Sequence, residues 1–513
     1  MRRRTFVGAL SAGIGLPLVA ARRRLVPPVP ADLSYASATE AAGAIRAKQI
    51  SSLELTQLAF ERIDRFNPRL NALVNLLREP ALARAREADA AWSRGTWWGP
   101  LHGVPVTVKE SFGIAGTAAT AGAPFLKNHV PAEDSVPVAR LKQAGAVLIG
   151  NTNVPFMLGD WQSYNEIYGT SNNPWDPTRT PGGSSGGTAA ALATGLGHLS
   201  IGSDIGGSIR VPAHFCGIYG HKPTVGVVPM RGHIPPLPGE QGTPIVSLPV
   251  GGPMARSAAD LRMALEVLGG PDQPDAKAYR WTLPPARHRA LRDFRIGVVL
   301  DDPSCPVSAE VKPVFDGLLA ALRRSGASLT QGWPEGINPR ADYHTYVYLL
   351  GTYFASQLPD SALDATRRAA SRPDSSIGTI WNRAWTDPVK RVQQQTAARE
   401  RARSLWSRWF QNHDVCLMPV AFVPAFPHDH SPDPTRRVLA TPAGSRSYMD
   451  LMWWIAAATL SGLPATVAPL GLTSGGLPVG IQIVGPYLED ATPIAFAEAL
   501  AREIGGFRPP PGF

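Results

Sequence analysis

Strand-length apolar runs alternating with helical patterns constrain this chain more than any other feature. "HGVPVTVKE" (102–110), "GAVLIGNTN" (145–153) and "HLSIGSDIGGS" (198–208) are too short for helices and are rich in β-branched residues. They do not alternate with polar residues, which is the pattern of strands buried on both faces. "RIGVVLDD" (295–302) and "VGIQIVGP" (479–486) repeat it. Between the runs lie helical periodicities. Two fall within 36–73, where Leu53, Leu55, Leu58, Ile63 and Phe66 follow a cap at Ser51 or Ser52, and Pro68 is expected to end the second. Another covers 136–144, and a long one spans 388–410. The fold class expected is α/β: a mixed, largely buried central sheet covered by helices on both faces.

Length alone, 513 residues, would allow two to four domains. No internal repeat is visible, and the 50 Gly and 50 Pro are dispersed rather than gathered into a tract. Residues 31–513 are therefore expected to form a single catalytic domain. The Arg-, Gln- and aromatic-rich segment 337–412 is expected to be a helical cover or insertion within it.

The first 24 residues, "MRRRTFVGALSAGIGLPLVAARRR", place a basic head before a short apolar run and a small-residue exit. This is the anatomy of an export signal, and Arg3-Arg4 followed by Thr5-Phe6-Val7 resembles the twin-arginine type. Residues 1–30 are assigned to this signal and a linker. The expected location is the periplasm or the exterior, or the cytoplasm if the signal is not used. No membrane association is expected of the mature form. The net charge of +10 falls to +4 once the six arginines of this segment are set aside. With no basic stripe and no recognisable motif, nucleic-acid binding is not expected. Cys216, Cys305 and Cys416 are odd in number and far apart, which argues against a disulfide framework or a metal site and for buried apolar roles.

Two glycine–serine clusters carry the chemistry. "TPGGSSGGTAAALATG" (180–195) contains G-x-S-x-G around Ser184, yet loop residues "NNPWDPTRTP" precede it where a nucleophile elbow needs a strand. Neither cluster matches a phosphate loop. "GSDIGGSIRVPAHFCG" (202–217) has the context an exposed nucleophile requires: strand, tight glycine turn, helix start. Lacking Cβ atoms at Gly206 and Gly207, the backbone can approach a ligand closely. The N–H groups of Ile205, Gly206, Gly207 and Ser208, aided by the helix N-terminus, are candidates for an oxyanion hole. The bland alternative makes Ser208 a helix cap, Ser184 a loop residue and Lys109 a solvated charge.

Taken together, Lys109 in "GVPVTVKE", Ser184 in "GGSSGGTAA" and Ser208 in "GSDIGGSIRVPA" lie 75 and then 24 residues apart. In that order, joined by "GIYGHKPTVGVVP", "TLSGLPATVAPLG" and "GLPVGIQIVGP", they resemble the amidase signature family over nearly all of the chain after residue 35. The resemblance implies a Ser-cisSer-Lys triad with no cofactor and no metal. In it Ser208 is the nucleophile, Ser184 the bridging serine after a cis peptide, and Lys109 the base. This chain has Lys109-Glu110 where most relatives have Lys-Asp, and little effect is expected of it. For Lys109 to accept a proton its pKa must fall from about 10.4 toward 7 or 8 through burial. Ser185, Asp204 and Arg210 are expected to support the loop, the last two as an ion pair.

The function implied is an amidase that converts a carboxamide to a carboxylate plus ammonia or an amine through a serine acyl-enzyme. The alternatives are esterase or urethanase action on the same triad, the catalytic subunit of a transamidase, and a silent binding protein. A small-molecule amide is the expected partner, acted on by a monomer or homodimer. His102, His214 and His221 are expected to be structural. Met157, Trp161, Trp453 and Trp454 are candidates for an apolar acyl cleft, with core packing an equally weighted reading.

Overall fold

The apolar runs all become strands of one sheet in the structure, a computed structural model that describes residues 32–239, 247–355 and 360–513. The export segment assigned to residues 1–30 lies outside the described residues. In chain order the strands are β1 (Leu73–Leu76), β2 (Pro105–Lys109), β3 (Val147–Thr152), β4 (Leu199–Asp204), β5 (Tyr219–Lys222) and β6 (Val250–Ala255). β7 (Arg295–Val298), β8 (Ser328–Gln331), β9 (Val415–Pro419), β10 (Ala465–Leu472) and β11 (Pro478–Val484) follow. They line up as β1-β3-β2-β4-β6-β5-β10-β11-β9-β7-β8.

The sheet is mixed, as expected. β2 pairs in parallel with both β3 and β4, and β7 in parallel with β8 and β9. The centre, from β4 through β6, β5, β10 and β11 to β9, is antiparallel. Every residue of β2, β3, β4, β6 and β9 is buried, which accounts for their largely apolar and small residues. Helix Val136–Gln143 carries the crossover from β2 to β3, and helix Gly186–Ala193 lies between β3 and β4 in the chain. The second helix sits so close to the sheet that a Cβ on Gly187 would meet the Asn153 backbone nitrogen at 2.5 Å.

Ser51, not Ser52, caps helix Ser52–Leu70, in a reciprocal box with Glu54. That helix runs two residues past Pro68, correcting the expected stop: the turn closes at Asn71, in the left-handed conformation. The segment 337–412 forms helices Pro339–Tyr353, Leu363–Ala370, Ile377–Thr386 and Val389–Trp409. It shares the main core through Tyr343, Tyr346 and Trp406 rather than standing apart. Among the described residues no helix is long and apolar enough to cross a membrane.

Candidate active site

Lys109 is the last residue of β2 and has no solvent exposure. Its Nζ lies 2.7 Å from Ser184 Oγ, 3.0 Å from Ser203 Oγ and 3.4 Å from the Ser203 carbonyl oxygen. No carboxylate among the described residues touches it. Burial pushes its amine well below the usual lysine range, with the charge on Asp204 opposing only in part. Glu110, next in sequence, accepts from Thr120 N, Thr120 Oγ1 and the Tyr168 hydroxyl instead. Burial raises its carboxyl to about 7.

Ser184 follows a cis peptide from Gly183, where a Cβ would collide with the Asp160 carbonyl. Ser185 N donates to the Ser208 carbonyl at 3.2 Å, which ties the two serine clusters together. Ser208 does not cap the helix that follows. Its Oγ makes no hydrogen bond among the described residues, and helix Arg210–Cys216 carries no cap from a side chain at its N-cap position, Ile209. Asp204 takes that role, accepting from Ile209 N at 3.1 Å and Arg210 N at 3.3 Å. The helix N-terminus is thereby occupied, which corrects its expected contribution to an oxyanion hole.

Gly207 needs correction too. Its N–H donates to Asp204 Oδ1 at 3.0 Å and is not free, and its φ of +91° explains why glycine stands there. The N–H groups of Ile205, Gly206 and Ser208 have no acceptor among the described residues. Two bonds from outside the turn fix its peptide planes: Tyr346 donates to Ile205 O at 2.9 Å and Trp161 Nε1 to Gly206 O at 2.7 Å. The turn thus presents unpaired donors beside a hydroxyl that is equally unpaired.

The Asp204–Arg210 pair braces this loop from below, both side chains fully buried and 2.8 Å apart. Burial alone would raise the Asp204 carboxyl, but the Arg210 guanidinium reverses this and holds it at about 2. Arg210 also donates to Ile455 O, Gln482 Oε1 and Thr459 Oγ1. Asp204→Asn would leave that guanidinium buried without its counter-charge, so we expect a stability loss of about 3–5 kcal/mol, read from the urea midpoint. A change under about 1 kcal/mol would mean the pair is not the loop's brace.

Ser184, Ser203, Ser208 and His233 line one narrow pit. It adjoins a cavity of about 360 Å³ that shares Ser208 and Ile205 with it. Met157 and Trp161 line this cavity as anticipated, but Trp453 and Trp454 do not. Both belong to the core of helix Leu451–Leu460, where Trp453 packs on Tyr343 and Trp454 stacks on Trp333; Met449 and Met452 take the cavity positions instead. Leu350, Phe354, Trp381 and Trp385 close the far side, so the helical segment reaches the site directly.

The histidines singled out from sequence are structural. His102 bridges Trp98 N and Ala88 O, and His214 bridges Gly480 N and Val423 O. His221 lies between Thr466 Oγ1 and Asp490 Oδ1, with neither nitrogen free for a serine. All three cysteines are buried and unpaired. Sequence reasoning missed Ser203 and His233, which meet at 2.9 Å beside Lys109. Ser203 shares β4 with Asp204 and was within reach of inspection, whereas "RGHIPP" carries no signal that would have marked His233.

Residues 54–493 match the amidase family. Fatty-acid amide hydrolase 2-A of Danio rerio is 31% identical over 94% of this chain and 92% of its own length. A glutamyl-tRNA(Gln) amidotransferase component of Anaeromyxobacter sp. (strain K) is 33% identical over 92% of this chain and 97% of its own. A solved amidase structure superposes with a TM-score of 0.74 at 28% identity, covering 92% of this chain and all of the other. With the sheet, the glycine turn and these likenesses in agreement, the chain belongs to the amidase family and is an amide-hydrolysing enzyme.

Proposed function

We propose that this protein hydrolyses small-molecule carboxamides bearing an apolar, uncharged acyl group, through an acyl-enzyme on Ser208. One observation carries the reading: a wholly buried amine at Lys109 sits 2.7 Å from the Oγ of Ser184, and Ser184 lines the same pit as a Ser208 hydroxyl that bonds to nothing among the described residues. In the proposed step Ser208 attacks the carbonyl carbon, its proton passing to Ser184 as the Ser184 proton passes to Lys109. The developing oxyanion is met by N–H groups of the 205–208 turn, where a single such donor is typically worth about 3–4 kcal/mol. Lys109 then returns its proton through Ser184 to the leaving nitrogen, and the C–N bond breaks. Water attacks the acyl carbon as its proton passes to the same relay; the bond to Ser208 Oγ then breaks, the relay returns that proton to Ser208, and the acid ionises to the carboxylate on release. Ser184 and Ser208 are not hydrogen-bonded to each other here. Contacts of this kind tighten once a substrate is bound.

Esters and urethanes form the same acyl-enzyme and are side substrates on this reading. The likeness to the amidotransferase component favours a second one, release of ammonia from glutamine for a partner. The cavity speaks against it. Asp160 is the only charged residue lining it among the described residues, and Arg437, Tyr164 and Tyr448 already occupy that carboxylate. No cationic side chain among the described residues faces inward to receive the carboxylate of an amino acid. Export by the twin-arginine-like segment is part of the proposal and agrees with a stand-alone hydrolase.

Purified protein assayed against a panel of aryl, arylalkyl and alkyl amides and glutamine should prefer the apolar amides by about 100-fold in kcat/KM. Preference for glutamine would transfer the assignment to the second reading. A fluorophosphonate should label Ser208, and its failure to do so would remove Ser208 as the nucleophile.

A further inference from the structure

The pit beside Lys109 holds a histidine that no step above uses. His233 Nδ1 lies 3.0 Å from the Pro235 carbonyl oxygen, which can only accept, so the ring carries its hydrogen on Nδ1. Burial, the largest cause, pushes the ring down, so it is neutral. Nε2 is therefore a bare acceptor. Ser203 Oγ lies 2.9 Å from it and Ser111 Oγ 3.0 Å, and the two hydroxyls share its single lone pair as donors. Phe112 packs edge-on against the ring at 4.7 Å and holds it in place.

One assignment of hydrogens satisfies these contacts, with Ser203, the nearer of the two hydroxyls, donating to Nε2. The one hydrogen of the Ser203 hydroxyl is spent on His233, so its oxygen meets Lys109 Nζ, 3.0 Å away, as an acceptor. The Ser203 carbonyl at 3.4 Å is an acceptor as well. An uncharged amine has two hydrogens and one lone pair. With its two hydrogens on the two Ser203 oxygens, the amine keeps its lone pair for the third and nearest neighbour, Ser184 Oγ.

We propose that His233 is a positioning residue: by taking the Ser203 hydroxyl hydrogen at Nε2, it reserves the Lys109 lone pair for the Ser184 proton. The inference rests on Lys109 acting as the base. Without His233 the Ser203 hydroxyl is free to turn and donate to Lys109, competing with Ser184 for the same lone pair.

His233→Phe keeps a ring but removes the acceptor, and should lower kcat by about tenfold to 100-fold with KM unchanged. His233→Gln, whose carbonyl oxygen can stand where Nε2 stood, should recover most of that loss. The deciding variant is His233→Phe with Ser203→Ala. With the competing hydroxyl gone, the double variant should be more active than His233→Phe alone. Losses that simply multiply would overturn the proposal. If the phenylalanine variant does not fold, His233→Leu with and without Ser203→Ala makes the same comparison. Nitrogen-15 chemical shifts of the parent protein, which need no variant, should place the His233 proton on Nδ1; a proton on Nε2 would overturn the proposal outright. Full activity in His233→Phe alongside an inactive Lys109→Met would remove this inference and leave the relay intact, whereas an active Lys109→Met would remove both.

Discussion

Ser208→Ala is expected to cut turnover of any amide substrate by at least about 10³-fold while leaving the fold intact. The size follows from the role: without the nucleophile no acyl-enzyme forms, and only binding and the oxyanion donors remain. The stability half of the prediction separates the two readings of a serine in this place. A serine that capped helix Arg210–Cys216 would take about 1 kcal/mol with it when lost. The Ser208 hydroxyl makes no hydrogen bond among the described residues, and Asp204 already holds the N–H groups of Ile209 and Arg210. Removing an unpaired hydroxyl should therefore leave the urea midpoint unmoved. Residual activity above about one hundredth of the parent would refute the nucleophile assignment. Inactivity accompanied by a cap-sized loss of stability would point instead to a damaged turn.

The split between what the chain reveals by itself and what folding adds runs along contact range. β2, β3 and β4 were legible because strands buried on both faces carry short runs dominated by apolar and small residues. Ser208 was legible as a candidate from its strand and glycine turn, whereas Lys109 and Ser184 were marked only by the resemblance to the amidase signature family. What Asp204 does was half visible. Its pairing with Arg210, six residues on, is local, but its claim on the Gly207 N–H depends on how the turn closes in three dimensions. Trp453 and Trp454 were ambiguous for a related reason: helix Leu451–Leu460 is apolar all round and buried at every position, so no periodicity marks which face looks into the cavity. His233 was beyond reach. It meets Ser203 across 30 residues and Ser111 across 122, through a loop whose sequence announces only turns.

Lys109→Met should abolish turnover and at the same time change how stability depends on pH. The loss of rate, about 10²–10⁴-fold, is that expected when a general base is removed. The second effect tests the proton itself. Burial sets the native amine below its unfolded value of about 10.4. Between those two values the unfolded chain holds a proton at Lys109 that the native protein lacks, so native stability rises with pH across the window. The slope is about 1.4 kcal/mol per pH unit, and it vanishes above the unfolded value. Methionine has nearly the same length and does not titrate, so its variant lacks this slope. The hydrogen bonds it forfeits to Ser184 and Ser203 displace its curve without tilting it. Subtracting the two curves, from urea unfolding at several pH values up to about 10, should leave a difference that climbs in the parent's favour as pH rises. Parallel curves would mean that Lys109 keeps its proton in the folded protein, and an ammonium has no lone pair with which to draw a hydrogen from Ser184.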